Sequence, residues 1–220
     1  MIDAGSSGCR AHVFRYGVLG TPEGPLYVLP KHDSKKVKPG LSSFNNDPAS
    51  AGISLTGLVD FMKQQIPEDK WAVTPIYLKA TAGLRMLNTE TSDLIIASVQ
   101  EFLSNPHNSP FFFEPKYAQI IPGNEEGAFS WISVNYLKHV IGPFRPIGEV
   151  DKENAFAVVE MGGASTQVTQ IANTYADQKS IETGFSYEFS IQGERFILYA
   201  HSYLGYGGDQ VTTQRYEYEC

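Results

Sequence analysis

Apolar positions in this 220-residue chain recur in two periods, and their alternation sets out the elements. Leu55, Leu58, Val59, Met62 and Ile66 return at helical spacing, and Pro67 closes that helix. A second helix carries Ile95, Val99, Phe102 and Leu103 on its inner face, with Thr91 or Ser92 as its cap. A third starts after Pro122 and buries Phe129, Ile132, Tyr136, Leu137 and Val140, with Trp131 in its core. A fourth is predicted from about Glu194 to Tyr203, ending at Gly205. Strand patterns cover Arg10–Tyr16, Leu26–Leu29, Pro75–Ala80, Gln119–Ile121, Ala155–Met161 and a pair around Phe185–Ile191. Lys31–Pro48 is polar and broken by proline and glycine, so it reads as a loop whose Lys35, Lys36 and Lys38 form a solvated cluster. Asn105–Pro115 reads as another loop, and Gly142–Asn154 as a linker between lobes. Strands alternating with helices predict an α/β architecture with mixed sheets, residues 1–150 forming a first lobe and 151–220 the start of a second.

Four strand ends release polar loops, and two of these share one grammar. Asp3-Ala-Gly-Ser-Ser-Gly-Cys-Arg10 and Glu160-Met-Gly-Gly-Ala-Ser-Thr-Gln167 each open with an acid at the end of an apolar run and continue into glycine and serine. Glycine lets backbone approach a phosphate oxygen without a Cβ clash, and successive N–H groups form an anion-binding concavity. The pair therefore predicts two jaws gripping a metal–phosphate group between two domains. Backbone amides beside Ser6, Ser7, Gly163 and Ala164 supply the cradle, and Asp3 and Glu160 support the metal. Glu126 is then the carboxylate for general-base work. Each assignment has a plainer counterpart. Asp3 suits a turn, Glu125-Glu126 suits a helix N-terminus, and Ser165, Thr166 and Gln167 suit a hydrated turn.

Composition narrows the classes. Hydrophobic residues at 42% and charged residues at 19% describe a globular chain, and a net charge of −7 argues against broad electrostatic binding of nucleic acid. Cys9 and Cys220 are too few for a disulfide-stapled mini-domain, and five histidines without ligand spacing predict no zinc site. There is no P-loop signature, no N-glycosylation acceptor, and no run long enough for a membrane-spanning helix. Only Met1 and Ile2 precede the first acid, so the chain reads as clipped at its start.

The four loops, in this order, resemble the conserved regions of the apyrase family (nucleoside triphosphate diphosphohydrolases). Asp3-Ala-Gly-Ser-Ser-Gly8 resembles the first region and Lys79-Ala-Thr-Ala-Gly-Leu-Arg-Met-Leu87 the second. Gly123-Asn-Glu-Glu-Gly-Ala-Phe-Ser-Trp131, continuing to Leu137, resembles the third, and Glu160 to Gln167 the fourth. Lys38–Phe44 and Tyr203–Gln210 are similar to the family's connecting segments, so the likeness spans essentially the whole chain. The resemblance implies an actin-like, ribonuclease-H-type two-lobe ATPase fold with its second lobe incomplete here. It implies hydrolysis of the terminal phosphate of nucleoside tri- and diphosphates with Mg²⁺ or Ca²⁺. Glu126 would activate the water, and Ser165 and Gln167 would position it. Ser6, Ser7, Gly8 and Thr81, with Gly163 and Ala164, would hold phosphate, and Asp3 and Glu160 would anchor the metal's water shell. Family members work outside the cell, at its surface or in the secretory lumen, leaving room for a membrane anchor in the full-length protein.

Two departures stand out. The family usually places Asp where this chain has Glu160, and the extra methylene implies a weakened or altered metal preference. Cys9 stands where a polar residue is common, which suggests a thiol-sensitive phosphate site. The family's fifth region and nucleobase pocket would lie beyond Cys220, so the chain reads as an amino-terminal fragment. The competing readings are a phosphotransferase or polyphosphate hydrolase of the same superfamily, and an inactive nucleotide-binding module.

Overall fold

The structure is a computed structural model that describes residues 1–22, 24, 26–29, 32–143, 152–191 and 193–219. Contacts divide the chain into two compact units, Met1–Arg15 with Leu29–Ile121, and Tyr16–Val28 with Pro122–Cys220. The expected lobe boundary at 150/151, most of the linker and Cys220 itself lie outside the described residues.

The chain opens with the hairpin β1 (Ile2–Gly5) and β2 (Gly8–Val13), followed by a separate ribbon, β3 (Tyr16–Val18) with β4 (Leu26–Val28). Next come β5 (Asp33–Val37), α1 (Thr56–Gln65), β6 (Leu78–Ala80), α2 (Ala82–Arg85), α3 (Thr89–Ser104) and β7 (Ala118–Ile120). The first unit's sheet runs β5-β2-β1-β6-β7, with β2 antiparallel to both its neighbours and β1, β6 and β7 parallel. Alternate residues Ile2 and Ala4 of β1 and Cys9 and Ala11 of β2 point into the core with Leu78 and Ala80. Leu58, Val59 and Met62 of α1 and Ile95, Val99 and Leu103 of α3 complete it, as their spacing predicts. Each fully buried leucine or isoleucine here contributes about 1.5–3 kcal/mol.

Two expectations need correction in this unit. β5 runs through the stretch read as a loop. Asp33-Ser-Lys-Lys-Val37 shows no apolar alternation because it is a sheet edge, where lysines protect against stray pairing. The cap of α3 is Asn88, whose Oδ1 accepts from the Thr91 backbone N–H at 2.8 Å, and neither Thr91 nor Ser92 caps it.

In the second unit, α4 (Gly123–Leu137) lies on a sheet made of β8 (Val158–Met161), β9 (Ser165–Ile171), β10 (Ser186–Ile191) and β11 (Glu194–Leu204). Two short helices, α5 (Tyr175–Ser180) and α6 (Gly208–Glu219), complete the described chain. The sheet order is β10-β11-β9-β8, antiparallel throughout. β11 occupies the segment expected to be the fourth helix. Its apolar run Phe196–Ala200 fits either period, and what settles it is pairing on both sides, with β10 and β9. Gly193, at φ 81, allows the tight reversal between β10 and β11.

α4 buries Gly127, Ala128, Trp131 and Asn135, one stripe along the helix, while Leu137 is 74% exposed, against expectation. Trp131 is core as predicted, edge-on to Phe189 and tilted to Phe196. Buried Asn135 bonds the backbone of Trp131 and both the N–H and the C=O of Phe156, which ties the approach to β8 onto α4.

Candidate active site

The two glycine loops are hairpins with one register. Asp3 pairs directly with Arg10 across β1 and β2, and Glu160 pairs directly with Gln167 across β8 and β9. Each acid faces the residue seven positions on, so the two occupy equivalent places. In both units a third strand then adds antiparallel to the second, pairing Arg10 with Lys36 and Gln167 with Ser202.

In the first unit the loop backbone is crowded by other glycines. A Cβ on Gly40 would come within 2.4 Å of the Ser6 carbonyl oxygen, and one on Gly83 within 2.8 Å of Ser6 Cα. Only glycine lets those segments lie against the loop. Thr81 donates its backbone N–H to the Ala4 carbonyl at 3.3 Å, and its own carbonyl accepts from Leu84 and Arg85 as α2 begins. Asp3, Ser6, Ser7, Gly8 and Thr81 are thus gathered about one sheet end. Lys36, expected to be one of a solvated cluster, donates to Ser7 Oγ at 3.0 Å and places a cation on the loop. Parallel pairing sets Lys79 beside Asp3, so a cationic residue faces Asp3 from each neighbouring strand.

Cys9 does not make this loop thiol-sensitive. It is 1% exposed, and burial pushes its thiol up to about 12. The unfolded thiol loses its proton near pH 8.5, while the folded one keeps its proton to about 12. Stability from this group is therefore whole below pH 8.5 and falls by about 1.4 kcal/mol per pH unit through that window. Urea titrations of wild type and Cys9→Ala should show that slope in the difference between them, and iodoacetamide at pH 7.5 should leave Cys9 unmodified until the chain unfolds.

In the second unit the sheet face under α4 changes character along its length. Val158, Ile171, Phe196 and Leu198 pack with Trp131 at one end. At the other, Glu160, Gln167 and Ser202 form a direct cross-strand row, with Ser165 beside it. α4 presents Glu126 and Ser130, one helical turn apart, to this polar end. Gln167 Nε2 lies within hydrogen-bond reach of three acceptors, Ser165 Oγ at 2.6 Å, Ser202 Oγ at 2.9 Å and Glu126 Oε2 at 3.2 Å. Ser130 Oγ donates to the Glu160 carboxylate. The helix reaches this close because residue 127 is glycine, as a Cβ there would stand 2.5 Å from Thr169 Oγ1. Gln167 and Ser165 are each 1% exposed, and Gln167 Oε1 has no hydrogen-bond partner among the described residues.

Behind this row, Gly163 and Ala164 are held by the segment between β11 and α6. Gly205 donates to the Ala164 carbonyl at 2.8 Å, and Asp209 and Gln210 donate to Gly163 at 3.0 and 3.2 Å. Gly205–Gly208 is therefore no helix C-terminus, since β11 precedes it. It is a turn that opens α6 and fastens the second glycine loop.

Within its unit, each set of expected site residues is brought together. Sequence reasoning missed Lys36, Ser130 and Ser202. The helical spacing of Glu126 and Ser130 was a usable signal for the second, whereas Ser202 was hidden by reading β11 as a helix. All the side-chain donors offered are oxygens of carboxylate and hydroxyl groups, a set that fits a hard cation such as Mg²⁺ or Ca²⁺. Among the described residues no cluster of three or more His, Cys, Asp or Glu gathers into an all-protein cage.

Comparison with known proteins places the chain that carries these paired acid–glycine hairpins in a family. Residues 1–219 match the GDA1/CD39 (nucleoside phosphatase) family, and the chain belongs to that family. It is 37% identical over 208 residues to the guanosine-diphosphatase of Schizosaccharomyces pombe, covering 94% of this chain and 35% of that protein. Ectonucleoside triphosphate diphosphohydrolase 5 of Gallus gallus is 34% identical over 212 residues, covering 94% and 46%. Probable apyrase 3 of Arabidopsis thaliana is 34% identical over 209 residues, covering 95% and 40%. The chain thus spans less than half the length of these relatives.

Proposed function

We propose that the protein hydrolyses the terminal phosphate of nucleoside di- and/or triphosphates by in-line attack of water, with Glu126 as general base. The observation that carries this reading is the contact of half-buried Glu126 on α4 with buried Gln167 and Ser165 of the second acid–glycine hairpin. Glu126 takes a proton from the attacking water as the new O–P bond forms and the bridging P–O bond breaks. The shortened nucleotide leaves with the bridging oxygen. Gln167 Oε1, buried and without a partner among the described residues, accepts the water's other hydrogen and aims its lone pair.

Ser6, Ser7, Gly8 and Thr81 of the first unit, and Gly163 and Ala164 of the second, hold phosphate oxygens through hydroxyls and backbone amides, helped by Lys36 at Ser7. On the first hairpin Asp3, and on the second Glu160, would hold a divalent cation such as Mg²⁺ or Ca²⁺. When bound, that cation offsets negative charge on the phosphates. Ser130 keeps the longer Glu160 side chain in place for this task.

The strand order β5-β2-β1-β6-β7 supports an actin-like first lobe, and the matched hairpin registers support a second lobe of the same type. Action outside the cell accords with the name of one relative, ectonucleoside triphosphate diphosphohydrolase 5. No described helix is long and apolar enough to cross a membrane.

Phosphate release from full-length protein, across GDP, UDP, ADP, ATP and inorganic polyphosphate with Mg²⁺ or Ca²⁺, tests the reading. Release from the nucleotides, abolished by EDTA, is expected. Release from polyphosphate alone, or transfer to a sugar in place of water, would move the protein to another member of the superfamily.

A further inference from the structure

We infer that Ser202 is a positioning residue that keeps the Gln167 amide from closing onto Glu126, an inference that rests on the general-base reading above. The Gln167 amide nitrogen carries two hydrogens and no lone pair able to accept. Three acceptors lie within reach, Ser165 Oγ at 2.6 Å, Ser202 Oγ at 2.9 Å and Glu126 Oε2 at 3.2 Å. The two shorter contacts take the two hydrogens, and the carboxylate is left with the longest contact of the three. Ser202 is held to this task by the fold, because it is the direct cross-strand partner of Gln167, just as Glu160 is on the other side. Gln167 is 1% exposed, so bulk solvent does not readily fill the place of a lost Ser202 hydroxyl beside its Nε2.

Without the Ser202 hydroxyl, one amide hydrogen has Glu126 as its next acceptor. A carboxylate that receives a full hydrogen bond is a weaker base and is turned from the water. The same rotation swings Gln167 Oε1 off the position where it accepts from that water. Ser202 therefore acts on turnover through Gln167, without touching substrate.

The test uses full-length protein carrying Ser202→Ala or Ser202→Thr, each also combined with Gln167→Ala. Ser202→Ala is expected to lower kcat about tenfold with KM within about twofold, the size of one lost hydrogen bond in the transition state. Ser202→Thr, which keeps the hydroxyl, restores kcat, and Ser202→Ala adds nothing in the Gln167→Ala background. A second readout needs no turnover: side-chain amide exchange of Gln167 by NMR should quicken about tenfold in Ser202→Ala and stay slow in Ser202→Thr. Undiminished kcat in Ser202→Ala, a further loss in the Gln167→Ala background, or unchanged amide exchange would each overturn the inference. A wild-type protein that hydrolyses no nucleotide would sink the hydrolase reading instead, while amide exchange still decides the role of Ser202.

Discussion

Replacing Glu126 with glutamine is expected to lower kcat by about 10³-fold, inside the range a general base supplies, while nucleotide binding persists. Gln fills the same volume and still occupies the first turn of α4, so the helix and its contact with β9 survive. The swap exchanges a carboxylate for an amide that accepts no proton from water. It also places two amides against one another at Gln167, whose Nε2 now points at the Glu126 carboxylate. Glu125 is the natural control. It shares the same helical turn, but its backbone N–H bonds the Asn124 side chain, and among the described residues no hydrogen bond ties its carboxylate to the Gln167 network. Glu125→Gln should therefore leave kcat within about threefold, as expected of a residue outside the transition state. The pair is read by single-turnover phosphate release beside nucleotide binding by calorimetry. Equal losses in the two variants would remove Glu126 from the role of base.

What the sequence made legible follows from how local each signal is. The acid–glycine hairpins were readable because their chemistry is spelled in consecutive residues: an acid ending an apolar run, then glycines that only a tight backbone approach requires. α1 and α3 were readable because Leu58, Val59 and Met62, and Ile95, Val99 and Leu103, repeat on a helical face. β5 and β11 were not, for opposite reasons. β5 is an edge strand whose lysines hide the period. β11 is inner and apolar on nearly consecutive positions, so its period is ambiguous until β9 and β10 are seen to flank it. Ser202 went unread for that reason. α6 has almost no apolar residue, and its start is set by backbone bonds to the second glycine loop, which no local pattern announces.

Gly207→Ala is expected to damage both stability and turnover, whereas Gly205→Ala, two residues away, should touch stability alone. The two glycines are required for different physical reasons. Gly205 sits at φ 86 with nothing within 4 Å of where a methyl group would stand, so its cost is backbone strain of about 1–2 kcal/mol. Asn, which visits that conformation more readily, should recover part of it. Gly207 lies outside the left-handed region, and its constraint is space. A Cβ there would meet Ala164 N and the Gly163 carbonyl carbon and oxygen at 2.3 Å, all of them backbone atoms unable to rotate aside. Relief comes only by pushing the second glycine loop away from the turn that fastens it. That sacrifices the bonds from Gly208 to Gly162 and from Asp209 to Gly163 and carries Ser165 out of reach of Gln167. Overpacking against rigid neighbours of this kind costs about 3 kcal/mol or more. At this chain length that lowers Tm by about 6–12 °C. Asn at 207 is bulkier and should be worse than Ala, reversing the order expected at 205. Calorimetric Tm values and phosphate release for the four variants separate the two causes. Matching Tm losses at the two positions, with turnover intact at 207, would show that the second glycine loop does not depend on the backing of Gly207.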